Sequence, residues 1–192
     1  LGNSLRRILL SSLDGAAITS IKIDGVLHEF STIPGIREDV TDIILNLKQL
    51  CIKVEEEAQL PLEVHFDFQK DGILTAADLA EQFPPEVEVL NPELVIATMD
   101  ETAHLVMDVV IERGKGYVPS TKNKKDTDVI GCIPIDSIFS PILRAKYEVS
   151  DVRVGNEMDF DKLTLEVWTD GSITAADAVA KSAAIMIGYL GN

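Results

Sequence analysis

The sequence contains few residues of the kinds that usually carry catalytic or cross-linking chemistry. Its 192 residues include two cysteines, three histidines and 5% aromatic residues. Cys51 and Cys132 lie far apart, without a CxxC motif and with apolar neighbours, which favours buried thiols of a reducing compartment over a disulfide or a metal site. His28, His65 and His104 have no partner at a ligand or catalytic spacing. Structural roles are therefore favoured for all three histidines.

Basic residues and long apolar runs are also scarce. The chain has 17 Lys+Arg against 32 Asp+Glu, a formal net charge of −15. Nucleic-acid affinity comes largely from cations that displace condensed counterions, so we expect no direct nucleic-acid binding, and a basic partner or simple solubility fits the charge better. No apolar run approaches the ~20 residues of a membrane span, so no membrane association is expected. Without a signal-peptide pattern or an initial methionine, the sequence indicates a fragment.

Known catalytic and phosphate-binding motifs are missing as well. The sequence has no nucleophile elbow, Walker loop, dinucleotide-binding GxGxxG or HExxH motif. Gly114-Lys115-Gly116 is too short for a phosphate loop, and the carboxylates of Glu38 and Asp39 suit the first turn of a helix better than acid–base catalysis. We therefore expect no catalytic, cofactor-binding or metal-binding residues in this chain.

The opening stretch, residues 1–13, has helical periodicity. At 3.6 residues per turn its apolar side chains form one stripe, made of Leu1, Leu5, Ile8, Leu9 and Leu13. Arg7 lies nearly opposite that stripe, on the same side as Leu10. An arginine beside an exposed leucine is typical of interface cores, so this outer face predicts a contact with a second protein surface. The alternative is a surface helix with one isolated leucine.

The middle of the chain changes from helical to strand periodicity. Residues 17–24 predict a strand, and a helix that begins near Glu38 has an inward stripe of Val40, Ile43, Ile44, Leu47 and Cys51. Across 52–138 apolar residues alternate with polar ones, which predicts sheet with one solvated face. Residues 120–128 contain no apolar residue and predict a mobile loop. Pro141 interrupts an apolar run and predicts a domain boundary, although the length alone allows one domain or two.

The last predicted element is a helix over 174–190. Thr174-Ala-Ala-Asp, like Thr75-Ala-Ala-Asp earlier, has the hydroxyl N-cap and acidic third residue of a helix start. The predicted inward stripe is Val179, Ala183, Met186 and Leu190, but Ile185 and Ile187 lie on both sides of it. A helix that is apolar nearly all round must be covered on more than one face. We therefore expect it to pack with the opening helix and with a second copy of both, which makes a homodimer.

Several motifs, in order along nearly the whole chain, carry a family resemblance. They lie at 1–13 (LGNSLRRILLSSL), 23–32 (IDGVLHEFST), 38–48 (EDVTDIILNLK), 113–119 (RGKGYVP) and 135–141 (IDSIFSP). With these motifs the chain resembles the N-terminal domain of the α subunit of bacterial-type DNA-directed RNA polymerase. The resemblance implies an α+β fold, with a discontinuous dimerisation domain at 1–14 and 141–192, whose first strands are missing, and an inserted, mostly β domain at 15–140.

The same resemblance implies a function and partners. The α subunit belongs to a nucleotidyltransferase but is not catalytic. It dimerises and is the platform on which the β and β′ subunits assemble, while Mg²⁺ is held in the catalytic subunit. The expected location is the cytoplasm, bacterial rather than plastid.

The resemblance also assigns residues to three contacts. Arg7, with Leu10 beside it, corresponds to the helix face that meets β, and Lys48 and Ile135 match positions associated with docking of β′. The dimer seam is expected to comprise Leu5, Ile8, Leu9, Val179, Ala183, Met186 and Leu190. Gly188 and Gly191 depart from the family pattern and predict fraying near the end of the last helix.

Two other classes of function remain open from the sequence. One is a stand-alone, acidic, β-rich module that binds a small molecule or a basic protein, because the net charge is strongly negative. The other is a hydrolase that uses His28 and Glu29, for which the sequence offers no supporting motif.

Overall fold

A computed structural model describes residues 1–191, apart from the side chains of residues 157–159, and divides the chain into two compact units. The discontinuous unit comprises Leu1–Asp14 and Ser140–Asn192, and the continuous unit comprises Gly15–Phe139. The boundary predicted at Pro141 lies one residue beyond Ser140. Asn192, the final residue of the predicted dimerisation segment, lies outside the described residues.

The described part of the chain combines helices with antiparallel strand pairs, so the predicted α+β class is confirmed. In chain order the elements are α1 (Gly2–Ser11), β1 (Asp14–Ile23), α2 (Val40–Lys48), β2 (Ile52–Val54), β3 (Leu62–Phe68), β4 (Gly72–Thr75), α3 (Ala76–Gln82), β5 (Val87–Val89), β6 (Val95–Met99), β7 (Leu105–Lys115), β8 (Tyr117–Val118), α4 (Ser120–Asn123), β9 (Cys132–Pro134), β10 (Ser137–Ile138), β11 (Ile142–Val154), β12 (Glu157–Thr169) and α5 (Ala175–Leu190).

The continuous unit is built on a four-stranded sheet with the order β3-β7-β1-β9. Along β3 and β7 every second side chain faces the core, as the period of two predicts, and Phe66 and its register partner Met107 are fully buried. On the other face, His65 pairs with Asp108 in register. Two-stranded ladders β2–β5, β4–β6 and β8–β10 complete the strand pairing of this unit.

Helix α2 begins where the acidic residues predict a helix start. The Asp39 carboxylate is the N-cap and accepts a hydrogen bond from the Asp42 backbone N–H at 2.8 Å. The predicted inward residues Val40, Ile43, Ile44 and Leu47 are all buried. The helix ends at Lys48, so the inclusion of Cys51 in its stripe was wrong, and the backbone N–H of Cys51 instead donates to the side chain of Asn91 at 2.9 Å.

The polar segment 120–128 was predicted as a mobile loop, but its first part forms a short helix. Helix α4 forms there because polar contacts replace the missing apolar anchor. The Asn123 amide donates to the Ile135 carbonyl at 2.7 Å and to the Ser137 hydroxyl at 2.9 Å. Ser137 in turn is buried and donates to the Ile18 carbonyl at 2.7 Å.

The discontinuous unit consists of a long hairpin, β11–β12, with α1 and α5 packed against it. Its core cluster is small and comprises Leu9, Leu13, Ile142, Ala145 and Ala178. At the start of α1, a Cβ added to Gly2 would lie 2.7 Å from side-chain atoms of both Leu163 and Tyr147. A larger residue at position 2 would therefore require the side chains of Leu163 and Tyr147 to shift.

The helix start predicted for α5 is confirmed, but its buried face differs from the prediction. Thr174 is the N-cap and accepts a hydrogen bond from the Asp177 N–H. The fully buried residues are Ala178 and Ser182, whose hydroxyl bonds back to the Ala178 carbonyl at 2.8 Å. Val179, Ala183 and Met186 are half-buried and Leu190 is exposed. The fully buried positions thus lie one residue before Val179 and Ala183, and Val179 still packs against the core cluster. The helix also continues through Gly188 to Leu190.

Candidate docking surfaces

The two arginines of α1 have different environments. Arg6 is half-buried, and its Nε donates to the Ala145 carbonyl at 3.1 Å, which ties α1 to β11. Arg7 is exposed. Leu10, expected beside Arg7 on an open outer face, is half-buried and packs against the core cluster around Leu9. The outer face of α1 therefore offers a charged group but little apolar surface.

The residues of α1 predicted for the dimer seam differ in their exposure to solvent. Leu5 is 8% exposed and Leu9 0% exposed in the single chain. In the single chain Leu9 packs in the core cluster of its own unit and holds α1 there. The assignment of Leu5 and Leu9 to the seam stays a prediction. Ile8 is half-buried and remains accessible.

The far end of α5 carries an exposed apolar surface. Ile187 is 69% exposed, Tyr189 74% and Leu190 79%. Half-buried Met186 adjoins them along the helix. Ile187 and Leu190, three residues apart, lie on one side of the helix. Neighbouring exposed apolar side chains of this kind mark an interaction site more often than chance exposure. Tyr189 was not assigned to the seam from the sequence, since it lies off the predicted stripe.

A second surface lies on the continuous unit where α2 faces the segment from α4 to β10. We call it the α2–β9 surface. It surrounds a cavity of about 170 Å³ lined by Glu29, Thr41, Ile44, Leu45, Lys48, Ser120, Ile133, Pro134, Ile135 and Asp136. The structure thus brings together Lys48 and Ile135, which the sequence separates by most of this unit.

These two predicted docking residues present little free surface of their own. Ile135 is 2% exposed, and its backbone N–H donates to the Thr19 carbonyl at 3.0 Å. The Lys48 ammonium is 2.9 Å from Oδ2 of Asp136. Two hydrogen bonds to the Asp136 carboxylate lower its pKa from 3.8 to about 2. The larger effect is that of the Lys48 ammonium, and the next is that of the Ser120 backbone N–H.

Sequence reasoning did not find Asp136 or Ser120, although both line the cavity. Asp136 lies between two segments that contain isoleucine, and an acidic residue in that position is typical of a turn exposed to solvent. Leu45 is 49% exposed. Its position outside the inward stripe of α2 was a weak indication in the sequence that this side of the helix is a contact surface. Phe30, 79% exposed, and Leu27, 71% exposed, add apolar surface on the segment before α2.

The residues with reactive chemistry have structural partners. His65 Nδ1 is 2.6 Å from Asp108 Oδ1, and His104 Nε2 is 2.7 Å from Asp67 Oδ1. His28 is exposed and contacts the ring of Phe30. Among the described residues, no group of three or more His, Cys, Asp or Glu side chains is placed to hold a metal ion.

Both cysteines are less buried than the sequence predicted. Cys51 and Cys132 are both half-buried, and neither is in a disulfide within the described chain. Burial raises the pKa of the Cys132 thiol.

In the part of the chain that the structure describes, no helix combines the length and apolar character needed to cross a membrane.

Comparison with known families shows to which family the chain belongs. Residues 21–140 match the family described as RNA polymerase Rpb3/RpoA insert domain. The chain belongs to this family of RNA polymerase subunits. The matched segment covers nearly all of the continuous unit, including both sides of the α2–β9 surface.

Curated members of the RNA polymerase α family are similar over both units. The chain is 56% identical over 190 residues to the DNA-directed RNA polymerase subunit alpha of Carboxydothermus hydrogenoformans, and 53% identical over 190 residues to that of Moorella thermoacetica. It is 53% identical over 191 residues to the subunit of Leptospira biflexa. Each alignment covers 99% of this chain but 59%, 59% and 58% of the relative. The chain therefore spans somewhat over half the length of these relatives.

Proposed function

We propose that this chain is the assembly portion of an RNA polymerase α subunit, a non-catalytic part of a DNA-directed RNA polymerase. It forms a homodimer through the discontinuous unit, and the dimer is the platform on which the β and β′ subunits assemble for transcription in the bacterial cytoplasm. The chain contributes no cofactor, metal ligand or nucleic-acid contact of its own. Nucleotidyl transfer, with its Mg²⁺, takes place in the catalytic subunit.

The observation that carries this proposal is the 53–56% identity to proteins named DNA-directed RNA polymerase subunit alpha, across 99% of the chain. The scarcity of catalytic motifs is consistent with a scaffold. The net charge of −15 is consistent with protein partners rather than with a phosphate backbone.

For the dimer, we propose a seam along the accessible side of α5 and α1. It comprises Ile8, Val179, Ala183, Met186 and Leu190, and we add Ile187 because of its 69% exposure. Full burial of one Leu or Ile side chain contributes about 1.5 to 3 kcal/mol. Two copies of such a set are enough to exceed an association cost of about 4 to 15 kcal/mol.

For the larger partners, we propose that Arg7 meets β and that the α2–β9 surface, with Lys48 and Ile135, meets β′. Exposed Arg7 can form new charged hydrogen bonds without losing an intramolecular one from its guanidinium. Leu10, half-buried, supports the same face from beneath.

The test is capture of purified β by the chain, comparing parent with Arg7→Ala. Truncation of an arginine that anchors an interface costs about 2 kcal/mol or more, so capture weakens by roughly thirtyfold while the dimer mass stays unchanged. Arg153→Ala, at an exposed arginine on β11, is the matched control and keeps parental capture. Equal capture by Arg7→Ala and parent removes Arg7 from the docking face. A monomeric parent that binds neither large subunit favours the stand-alone binding module instead.

A further inference from the structure

Asp136 connects three segments of the continuous unit that are distant in sequence. Its Oδ2 accepts a hydrogen bond from the Lys48 ammonium of α2 at 2.9 Å. Its Oδ1 accepts from the backbone N–H of Ser120, the first residue of α4, at 2.7 Å. Asp136 itself lies between β9 and β10. One carboxylate thus holds α2, α4 and the β9–β10 link at a single point.

The contact leaves Lys48 little freedom to serve a partner. Its side chain is 25% exposed and that of Asp136 is 31% exposed, so the pair is partly shielded from solvent. The ammonium charge is already neutralised within the chain. A direct salt bridge from Lys48 to an incoming protein would have to share the ammonium with Asp136, or break this pair and leave a partly buried carboxylate uncompensated.

The same point fixes the shape of the cavity in the α2–β9 surface. Ser120 and Ile135 line that cavity together with the ion pair. Asn123 adds a second tie, from α4 to the Ile135 carbonyl at 2.7 Å. Because α4 has a single turn and no buried residue, these polar contacts are what hold it against β9.

We propose that Asp136 is a positioning residue of the docking surface, and that Lys48 acts through Asp136 by fixing α4 and the cavity rather than by contacting the partner. This inference rests on the proposed function, because it concerns the surface assigned there to β′. It adds a residue and a mode of action that the family resemblance did not provide: the surface is pre-shaped by an internal ion pair.

A double-mutant cycle tests whether Lys48 and Asp136 act as one unit. The variants are Asp136→Ala, Lys48→Met and the two together, and the measurement is binding of purified β′ to the complex of the chain with β. If both residues act through one pair, each single change weakens binding by roughly tenfold, and the double variant is no weaker than the single variants within about twofold. Losses that multiply in the double variant, or parental binding by Asp136→Ala, overturn the proposal.

Hydrogen exchange in the free chain provides a readout that does not depend on docking. Asp136→Ala removes the acceptor of the Ser120 N–H, so exchange of that amide speeds up by roughly tenfold or more. Unchanged exchange at Ser120 contradicts the positioning role. Lys70→Met is the matched control: it breaks the Lys70–Asp78 pair, 2.8 Å long and elsewhere in the same unit, and alters neither β′ binding nor Ser120 exchange.

The two hypotheses fail in different ways. If the parent chain with β does not capture β′ at all, the proposed function fails, and the docking role of Asp136 fails with it. If the parent captures β′ but the cycle is additive, the proposed function stands and Lys48 is a direct contact.

Discussion

Gly15, at the start of β1, allows two backbone segments to approach closely. A Cβ added there would overlap the carbonyl oxygen of Phe139. That obstacle is backbone rather than the flexible end of a side chain, so the structure must shift to admit a methyl group. We expect Gly15→Ala to lower the free energy of unfolding by about 1 to 3 kcal/mol, measured by urea denaturation.

The control for this prediction is a glycine without such a neighbour. A Cβ added to Gly188 in α5 would have no atom within 4 Å. Gly188→Ala is expected to leave stability unchanged or raise it by about 0.5 to 1 kcal/mol, because alanine suits a helix better than glycine. Equal stability of Gly15→Ala and the parent contradicts the close approach.

The carboxyl group of Asp136 has a testable titration. Its pKa is lowered from 3.8 to about 2 by the Lys48 hydrogen bond and the Ser120 N–H. A folded-state pKa below the unfolded value means that this group stabilises the fold fully above about pH 4 and loses that contribution as the pH falls toward 2. In an NMR titration of the side-chain carbon, the parent has a midpoint near 2, and Lys48→Met moves it toward 3.8. A parental midpoint near 3.8 contradicts the ion pair.

Helix α5 depends at its start on a single side-chain cap. The Thr174 hydroxyl accepts a hydrogen bond from the Asp177 N–H at 3.2 Å. Thr174→Ala leaves that N–H without its acceptor and is expected to destabilise the chain by about 1 kcal/mol in urea unfolding at fixed protein concentration. Thr174→Ser keeps the hydroxyl and restores most of the loss. If Thr174→Ala and Thr174→Ser have the same free energy of unfolding, the hydroxyl cap contributes nothing measurable to stability.

Elements whose pattern is local could be predicted from the sequence. The alternation Leu62, Val64, Phe66, Phe68 specifies β3, because one buried face requires a period of two. The N-caps of α2, α3 and α5 follow from short polar signals, since a helix start must satisfy its own free N–H groups. These signals need no knowledge of the rest of the fold.

Features that depend on distant partners could not be predicted in the same way. Lys48 and Asp136 are 88 residues apart, and each alone has the pattern of a surface charge. The one-residue error in the buried stripe of α5 arose because Ala178 and Ser182 are small, and hydrophobicity ranks Val179 above them. Leu9 packs with Ile142 and Ala145 of β11, a contact that the sequence cannot distinguish from contact with a second copy.

Taken as a whole, the molecule has two units, each with its own hydrophobic core. The continuous unit has the larger core, whereas the core of the discontinuous unit is small and leaves apolar residues of α5 exposed. A small core with adjacent exposed apolar surface is what an obligate partner of the same kind would complete. The net charge of −15 makes self-association unfavourable at long range, so the dimer proposed above depends on this apolar surface.

The most direct test of the account is the mass of the chain in solution, measured by size-exclusion chromatography with light scattering. The parent is predicted to elute at twice its 21.0 kDa chain mass. Ile187→Asp, which places a carboxylate in the proposed seam, gives a folded monomer at the same concentration. Ile73→Asp, at an isoleucine 53% exposed in the continuous unit, remains a dimer. A parent of single-chain mass, or a dimer that tolerates Ile187→Asp unchanged, contradicts the proposed platform and its seam.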